Sequence, residues 1–171
     1  NKTLVTFKPS PPNTGIKFVR TDLPDKLVIE ASIENVVGLA RGTTLGKNGN
    51  DLHTVEHIMA ALCGLGIDNL IIEVNNNELP VGDGSSQPYL DVLKRAGLEE
   101  QEAPREYFIV TKPIKYSAAD GVYLVVLPSN EFRISCTINY DHPVLSTQYA
   151  SYTIDSEVFE NEIAAARTYC F

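Results

Sequence analysis

The residues best equipped for chemistry stand side by side in Thr54-Val55-Glu56-His57, where a segment with helical apolar spacing begins. A carboxylate beside an imidazole on an opening helical turn offers a general base and a metal ligand. The plainer alternative has Glu56 complementing the helix dipole and His57 solvated on the surface, on the flank and far side of the buried stripe. For a Glu-His dipeptide alone the plainer alternative wins, because so short a motif carries little information. His53 lies four residues before His57 but precedes the helix, so the pair lacks the shared-face geometry of an HExxH zinc site; it is read as a surface residue. Gly82-Asp83-Gly84-Ser85 has the glycines of a phosphate loop ahead of a helix. Asp83 would repel an anion there, and a structural turn is preferred.

The elements that must position these groups follow from periodicity. Val55, Ile58, Met59, Leu62 and Leu65 recur at i, i+3, i+4 and i+7, which predicts a helix over 55–65, with Thr54 as N-cap and Gly66 as C-terminal stop. Alternation predicts strands around 3–8, 16–19 and 26–31, an irregular pair over 36–45 around Gly38 and Gly42, and a strand over 69–74. A second helix is expected over 88–96, closed by Gly97. Residues 98–106 lose all periodicity and mark a domain boundary. Beyond it, strands are expected at 107–111, 114–116, 122–127, 132–140 and 147–154. Phe132, Ile134, Cys136, Ile138 and Tyr140 alternate with polar residues, as in a strand with one buried face. Asp155 then caps a helix. The fold class is α+β: two related two-layer domains, 1–103 and 104–171, each a small mainly antiparallel sheet with helices on one face, the second truncated.

Composition narrows the function classes. A net charge of −8 over 171 residues, without any Lys/Arg-rich run, excludes a nucleic-acid platform. Cys63, Cys136 and Cys170 are odd in number and widely spaced, so buried, reduced thiols and a cytoplasmic location are expected. The apolar run 58–65 is too short to cross a bilayer. The first residue is Asn1, no signal-peptide pattern follows, and the sequence stops at Phe171 within an apparent strand. A piece of a longer protein is expected.

Context changes the weight of Glu56-His57. The ordered segments Thr54-Val55-Glu56-His57, Gly64-Leu65-Gly66-Ile67-Asp68-Asn69, Asp83-Gly84-Ser85, Asn139-Tyr140-Asp141-His142-Pro143 and Ala166-Arg167-Thr168-Tyr169-Cys170-Phe171 resemble the UDP-3-O-acyl-N-acetylglucosamine deacetylases of lipid A (lipopolysaccharide) biosynthesis. The likeness covers nearly the whole chain. It implies two α+β domains around one catalytic zinc and hydrolysis of an N-acetyl group on an acylated UDP-N-acetylglucosamine. Glu56 is then the general base, His57 the first zinc ligand, and Thr168 a stabiliser of the tetrahedral oxyanion. Tyr140 would meet the uridine ring, or simply end the alternating strand facing inward; Tyr169 and Phe171 would line the substrate cleft or belong to the core. His142 is structural in the family pattern.

The same resemblance exposes departures. The family's other two zinc ligands, a His and an Asp four residues apart, have no counterpart before Phe171, nor does its general-acid histidine. Gly121-Val122-Tyr123 offers no basic residue where many members place one near the diphosphate. The expected partner is therefore the missing C-terminal half of the enzyme, with at most peripheral membrane association and no nucleic acid. The alternative is a catalytically incomplete fragment or scaffold half, without zinc or activity.

Overall fold

The computed structural model describes residues 2–168. Two compact units divide it: Pro104–Val158 forms one, and the described residues on either side of that segment form the other. In chain order the larger unit contains β1 (Val5–Pro9), β2 (Ile16–Arg20), β3 (Val28–Glu30), β4 (Val36–Gly38), β5 (Thr44–Lys47), β6 (Asn50–Leu52), α1 (Glu56–Leu65), β7 (Leu70–Val74) and α2 (Gln87–Ala96).

The principal sheet has the order β1-β7-β2-β3, antiparallel except where β7 lies parallel to β2. Register puts Phe7, Ile72, Phe18 and Ile29 opposite one another in a row across it. Opposed residues share a face, and Ile72, Phe18 and Ile29 are wholly buried, in one core with Ile58, Ala61 and Leu62 of α1 and Leu90 and Leu93 of α2. Each such large aliphatic or aromatic side chain contributes about 2 kcal/mol. The other face is wet and charged: Lys8 pairs with Glu73 at 2.6 Å and Lys17 with Glu30 at 3.7 Å. These exposed pairs specify register more than they stabilise.

A second sheet, β4-β5-β6, is irregular at its first pairing, where the register shifts between Val36 and Gly38. Buried Arg20, at the end of β2, ties the two sheets together. Its Nη1 donates to the Asp51 carbonyl at 2.6 Å, while Nε and Nη2 form a bidentate pair with Asp22 at 2.8 and 2.6 Å. That guanidinium holds the Asp22 carboxyl below its ordinary range.

Helix α1 departs from expectation at its start and agrees at its end. Thr54 is not the N-cap: Val55 holds that position without a side-chain cap, and Thr54 sits at φ 63°, in the left-handed region. The stop is Gly66 at φ 68°, whose N–H reaches the carbonyls of Leu62 and Cys63. The buried face is also rotated from the expected stripe, taking in His57, Ala61 and Gly64. Phe159 explains part of this rotation. Its ring lies where a Cβ on Gly64 would be, 2.1 Å from Cδ1, so only a bare backbone admits it.

Unit Pro104–Val158 comprises two antiparallel hairpins, β8 (Ile114–Ser117) with β9 (Tyr123–Val126) and β10 (Arg133–Asn139) with β11 (Thr147–Thr153). The strand expected at 107–111 does not form. The alternating face of β10 is not buried in this chain: Phe132, Ile134, Ile138 and Tyr140 are 40–58% exposed, because a hairpin by itself supplies no second layer. Cys63 and Cys136 are likewise exposed free thiols, against the expectation of burial; Cys170 lies outside the described residues. Asp155 does cap the following turn, α3 (Ser156–Val158), its Oδ1 accepting the Val158 N–H at 2.8 Å. The chain continues as a π-helical turn, Phe159–Ile163. From Phe159 onward the described residues belong with the larger unit, although the sequence boundary assigned 104–171 to a second domain.

Gly64→Ala should lower stability by ~1–2 kcal/mol through overpacking against Phe159, despite alanine's better helix propensity; a urea midpoint equal to wild type would contradict the contact. Asp22→Asn should cost ~1–2 kcal/mol at pH 7, since the buried Arg20 loses its counter-charge. The folded pKa of Asp22 is depressed, so its contribution is present above the unfolded value of about 3.9 and disappears as pH falls through the folded value. Acid titrations of stability should therefore be shallower below about pH 4 in the asparagine variant than in wild type.

Candidate active site

The junction that delivers Glu56 and His57 is held from three directions. The His53 N–H donates to Asn77 O at 2.8 Å, the Leu79 N–H to His53 O at 3.2 Å, and the Val55 N–H to Thr43 O at 3.2 Å. Thr54 spans these anchors in its left-handed conformation, its hydroxyl donating to Glu78 Oε1 at 3.1 Å. A β-branched residue held there costs roughly 1–3 kcal/mol and persists only when its surroundings over-determine it. His53 is half-buried rather than a free surface group, its Nδ1 lying 3.1 Å from Thr44 Oγ1.

Glu56 is half-buried, and its Oε2 accepts the main-chain N–H of Thr43 at 2.8 Å. No spacing rule links residues thirteen positions apart across a loop, so residue types carry no signal for this partner. His57 is buried to 6% exposure, not solvated on the far side of the helix. Its ring makes no hydrogen bond among the described residues, yet it leaves no fully enclosed, unpartnered nitrogen. The ring nitrogens are therefore not committed to another group among the described residues. No group of three or more His, Cys, Asp or Glu able to hold a metal occurs among the described residues. His57 fits zinc as one ligand of a set that these residues do not complete, a catalytic zinc normally taking three protein ligands.

Tyr89, on the first turn of α2, was not expected in this neighbourhood. Its hydroxyl donates to Pro80 O at 2.6 Å, and burial first, then the Glu56 carboxylate, push its phenol well above the ordinary range. Ahead of α2, the Asp83-Gly84-Ser85 loop is spent on itself: Asp83 Oδ1 accepts the Ser85 N–H at 3.0 Å and the Ser85 hydroxyl at 2.7 Å. Those bonds hold the Asp83 carboxyl below its ordinary range. With Ser85 wholly buried and Gly84 N–H on Val81 O, the loop is a structural turn.

That turn receives the other end of the chain. Thr168 donates its N–H to Gly84 O at 2.9 Å, and Ser86 Oγ donates to Ala164 O at 3.1 Å. Two motifs far apart in sequence, Asp83-Gly84-Ser85 and Arg167-Thr168, therefore meet beside α2. Thr168 is exposed, with its hydroxyl outside this main-chain bond. Tyr169 and Phe171 lie outside the described residues. Tyr140 follows β10 in the other unit, 40% exposed, its N–H on Ser146 O at 2.9 Å. Beside it, His142 Nδ1 accepts the N–H groups of Val144 and Leu145 at 3.2 and 3.3 Å, which makes it a turn-forming residue. No helix among the described residues is long and apolar enough to cross a membrane.

Comparison with known proteins identifies the family. The family model for UDP-3-O-acyl N-acetylglycosamine deacetylase matches residues 1–171. The chain is 45% identical over 168 residues to the UDP-3-O-acyl-N-acetylglucosamine deacetylase of Myxococcus xanthus, covering 98% of this chain and 53% of the relative. A bifunctional enzyme LpxC/FabZ of Chlorobaculum tepidum is 43% identical over 169 residues, 98% of this chain and 36% of its own length. The deacetylase of Methylococcus capsulatus is 40% identical over 172 residues, 99% of this chain and 56% of its own. The chain thus spans about half or less of the curated relatives it matches. With a family match along its whole length and a Glu-His pair fixed at the start of α1, this chain belongs to the UDP-3-O-acyl N-acetylglycosamine deacetylase family.

Proposed function

We propose that this chain carries the first part of a zinc-dependent hydrolase that removes the N-acetyl group from UDP-3-O-acyl-N-acetylglucosamine in lipid A biosynthesis. The observation that carries the reading is the pairing of a tethered Glu56 carboxylate with a buried His57 whose ring makes no hydrogen bond among the described residues. In the reaction, water oxygen bonds to the acetamide carbonyl carbon, the C–N bond breaks, and acetate leaves a free amine. Zinc, when bound, lowers the pKa of water towards about 7 and polarises the carbonyl.

Glu56 accepts the proton of the attacking water, and the leaving amine takes its proton from a general acid in the rest of the protein. His57 supplies one zinc ligand, its ring direction fixed by burial in the α1 face. Thr168 presents its hydroxyl to the tetrahedral oxyanion, since its N–H is already committed to Gly84 O. A donor aimed at that charge acts where the charge develops, which is where stabilisation accelerates reaction. Tyr140 stacks on the uridine ring, and Tyr169 and Phe171 line the substrate cleft. The remaining zinc ligands and the diphosphate contacts come from the rest of the protein. Cytoplasmic location, with peripheral contact to the membrane that holds acylated products, suits this substrate.

In the full-length protein, Glu56→Ala should reduce turnover by about 10²–10⁴-fold while zinc content stays at wild-type stoichiometry. Near-normal turnover would remove Glu56 from the role of base.

The second reading concerns the 171 residues alone, and rests on the incomplete ligand set. We propose that the isolated chain folds its larger unit but neither retains zinc through gel filtration nor hydrolyses substrate. Elemental analysis finding one tightly held zinc per chain would overturn that reading.

A further inference from the structure

We propose that the Gly42–Thr43 turn is the positioning element for the Glu56 carboxylate, dividing its two oxygens into an anchor and a proton acceptor. This inference rests on the reading of Glu56 as the base. Thr43 grips the start of α1 with both of its main-chain groups: its carbonyl accepts the Val55 N–H at 3.2 Å, and its N–H donates to Glu56 Oε2 at 2.8 Å. Oε2 is the anchored oxygen. Oε1 has no hydrogen-bond partner among the described residues and lies over Gly42, where a Cβ would sit 3.0 Å from Oε1, 3.6 Å from Oε2 and 3.7 Å from Cδ.

Gly42 does not adopt a positive φ, so no left-handed strain opposes a side chain there. What the missing side chain provides is space, filled by the carboxylate. A general base must hold its accepting oxygen within hydrogen-bond reach of the proton it takes, and groups held by fixed main-chain donors keep that geometry better than groups on mobile side chains. The turn is itself held: Thr44 opens β5 and its Oγ1 lies 3.1 Å from His53 Nδ1, so both ends of the junction share one framework. Helix start, turn and carboxylate are joined by these bonds.

The test uses the full-length, zinc-loaded protein. Gly42→Ala asks the carboxylate to shift by a few tenths of an ångström, which is cheap for the fold because only a side-chain end must move. It should lower kcat about tenfold, and Gly42→Val about 10²-fold, since misplacement on the scale of 1 Å costs that much. KM should change less than about twofold, and the thermal midpoint of the alanine variant should stay within about 2 °C, a surface-sized effect. In a Glu56→Asp background the shorter side chain no longer reaches the added methyl, so Gly42→Ala should have no further effect on kcat. Such non-additivity is not expected of a general loss of structure.

Wild-type kcat in Gly42→Ala, or an equal loss in the wild-type and Glu56→Asp backgrounds, would overturn the positioning role. If Glu56→Ala abolishes turnover in that same case, the base assignment survives and only the positioning inference falls. If Glu56→Ala keeps wild-type turnover, the base assignment falls first. Should the valine variant fail to fold, the alanine variant and its cycle with Glu56→Asp decide the matter alone.

Discussion

The candidate site depends on a single strained junction. Thr54 is held in the left-handed region between anchors on Asn77, Leu79 and Thr43, and α1 can start only where those bonds release it. Helix α1 is entered without a side-chain cap: the Thr43 carbonyl takes the Val55 N–H, and the Thr43 N–H takes the carboxylate of Glu56. Loops that lock a residue in a costly conformation do so because neighbouring bonds outweigh the cost. Here the benefit is directional: Glu56 turns to the β4–β5 loop while His57 is buried on the face of α1.

Packing and chemistry meet on the same helix. The buried face of α1 uses small residues, Ala61 and Gly64, so that Phe159 can lie directly on the backbone. That contact draws the 159–168 segment onto the larger unit, and Thr168 follows to pair with Gly84. A methyl group added at Gly64 therefore threatens more than helix packing: it loosens the path by which a distant threonine reaches the start of α2. The Asp83–Ser85 bonds fix the receiving end, since a turn that satisfies its own donors holds one shape.

Family membership and chemistry stand at different levels. The match along the whole chain places it among the UDP-3-O-acyl N-acetylglycosamine deacetylases, whereas the larger unit shows a tethered carboxylate in Glu56, a buried imidazole in His57 and an exposed Thr168 held to Gly84 by its main chain. The exposed apolar strand β10 fits the same view, because its alternation is written for a sheet with a second layer and the hairpin provides none.

The sequence alone determined the motifs, the α+β class, the C-terminal stop of α1 at Gly66 and the Asp155 cap, because these depend on local spacing and on φ/ψ preferences that neighbours barely alter. Ordered motifs also carried the family likeness. Only tertiary structure decided that His57 is buried, that Thr54 is a strained link rather than a cap, that Cys63 faces solvent, and that Phe159 belongs with the larger unit. Each of these turns on a partner far away in sequence. Helical periodicity assigned His57 to the outer flank because imidazole is polar, but the volume left by Ala61 and Gly64 rotated the buried face towards it. The hold of Thr43 on Glu56 was invisible for a related reason: a main-chain N–H belongs to every residue except proline, so residue type cannot mark which one will be used.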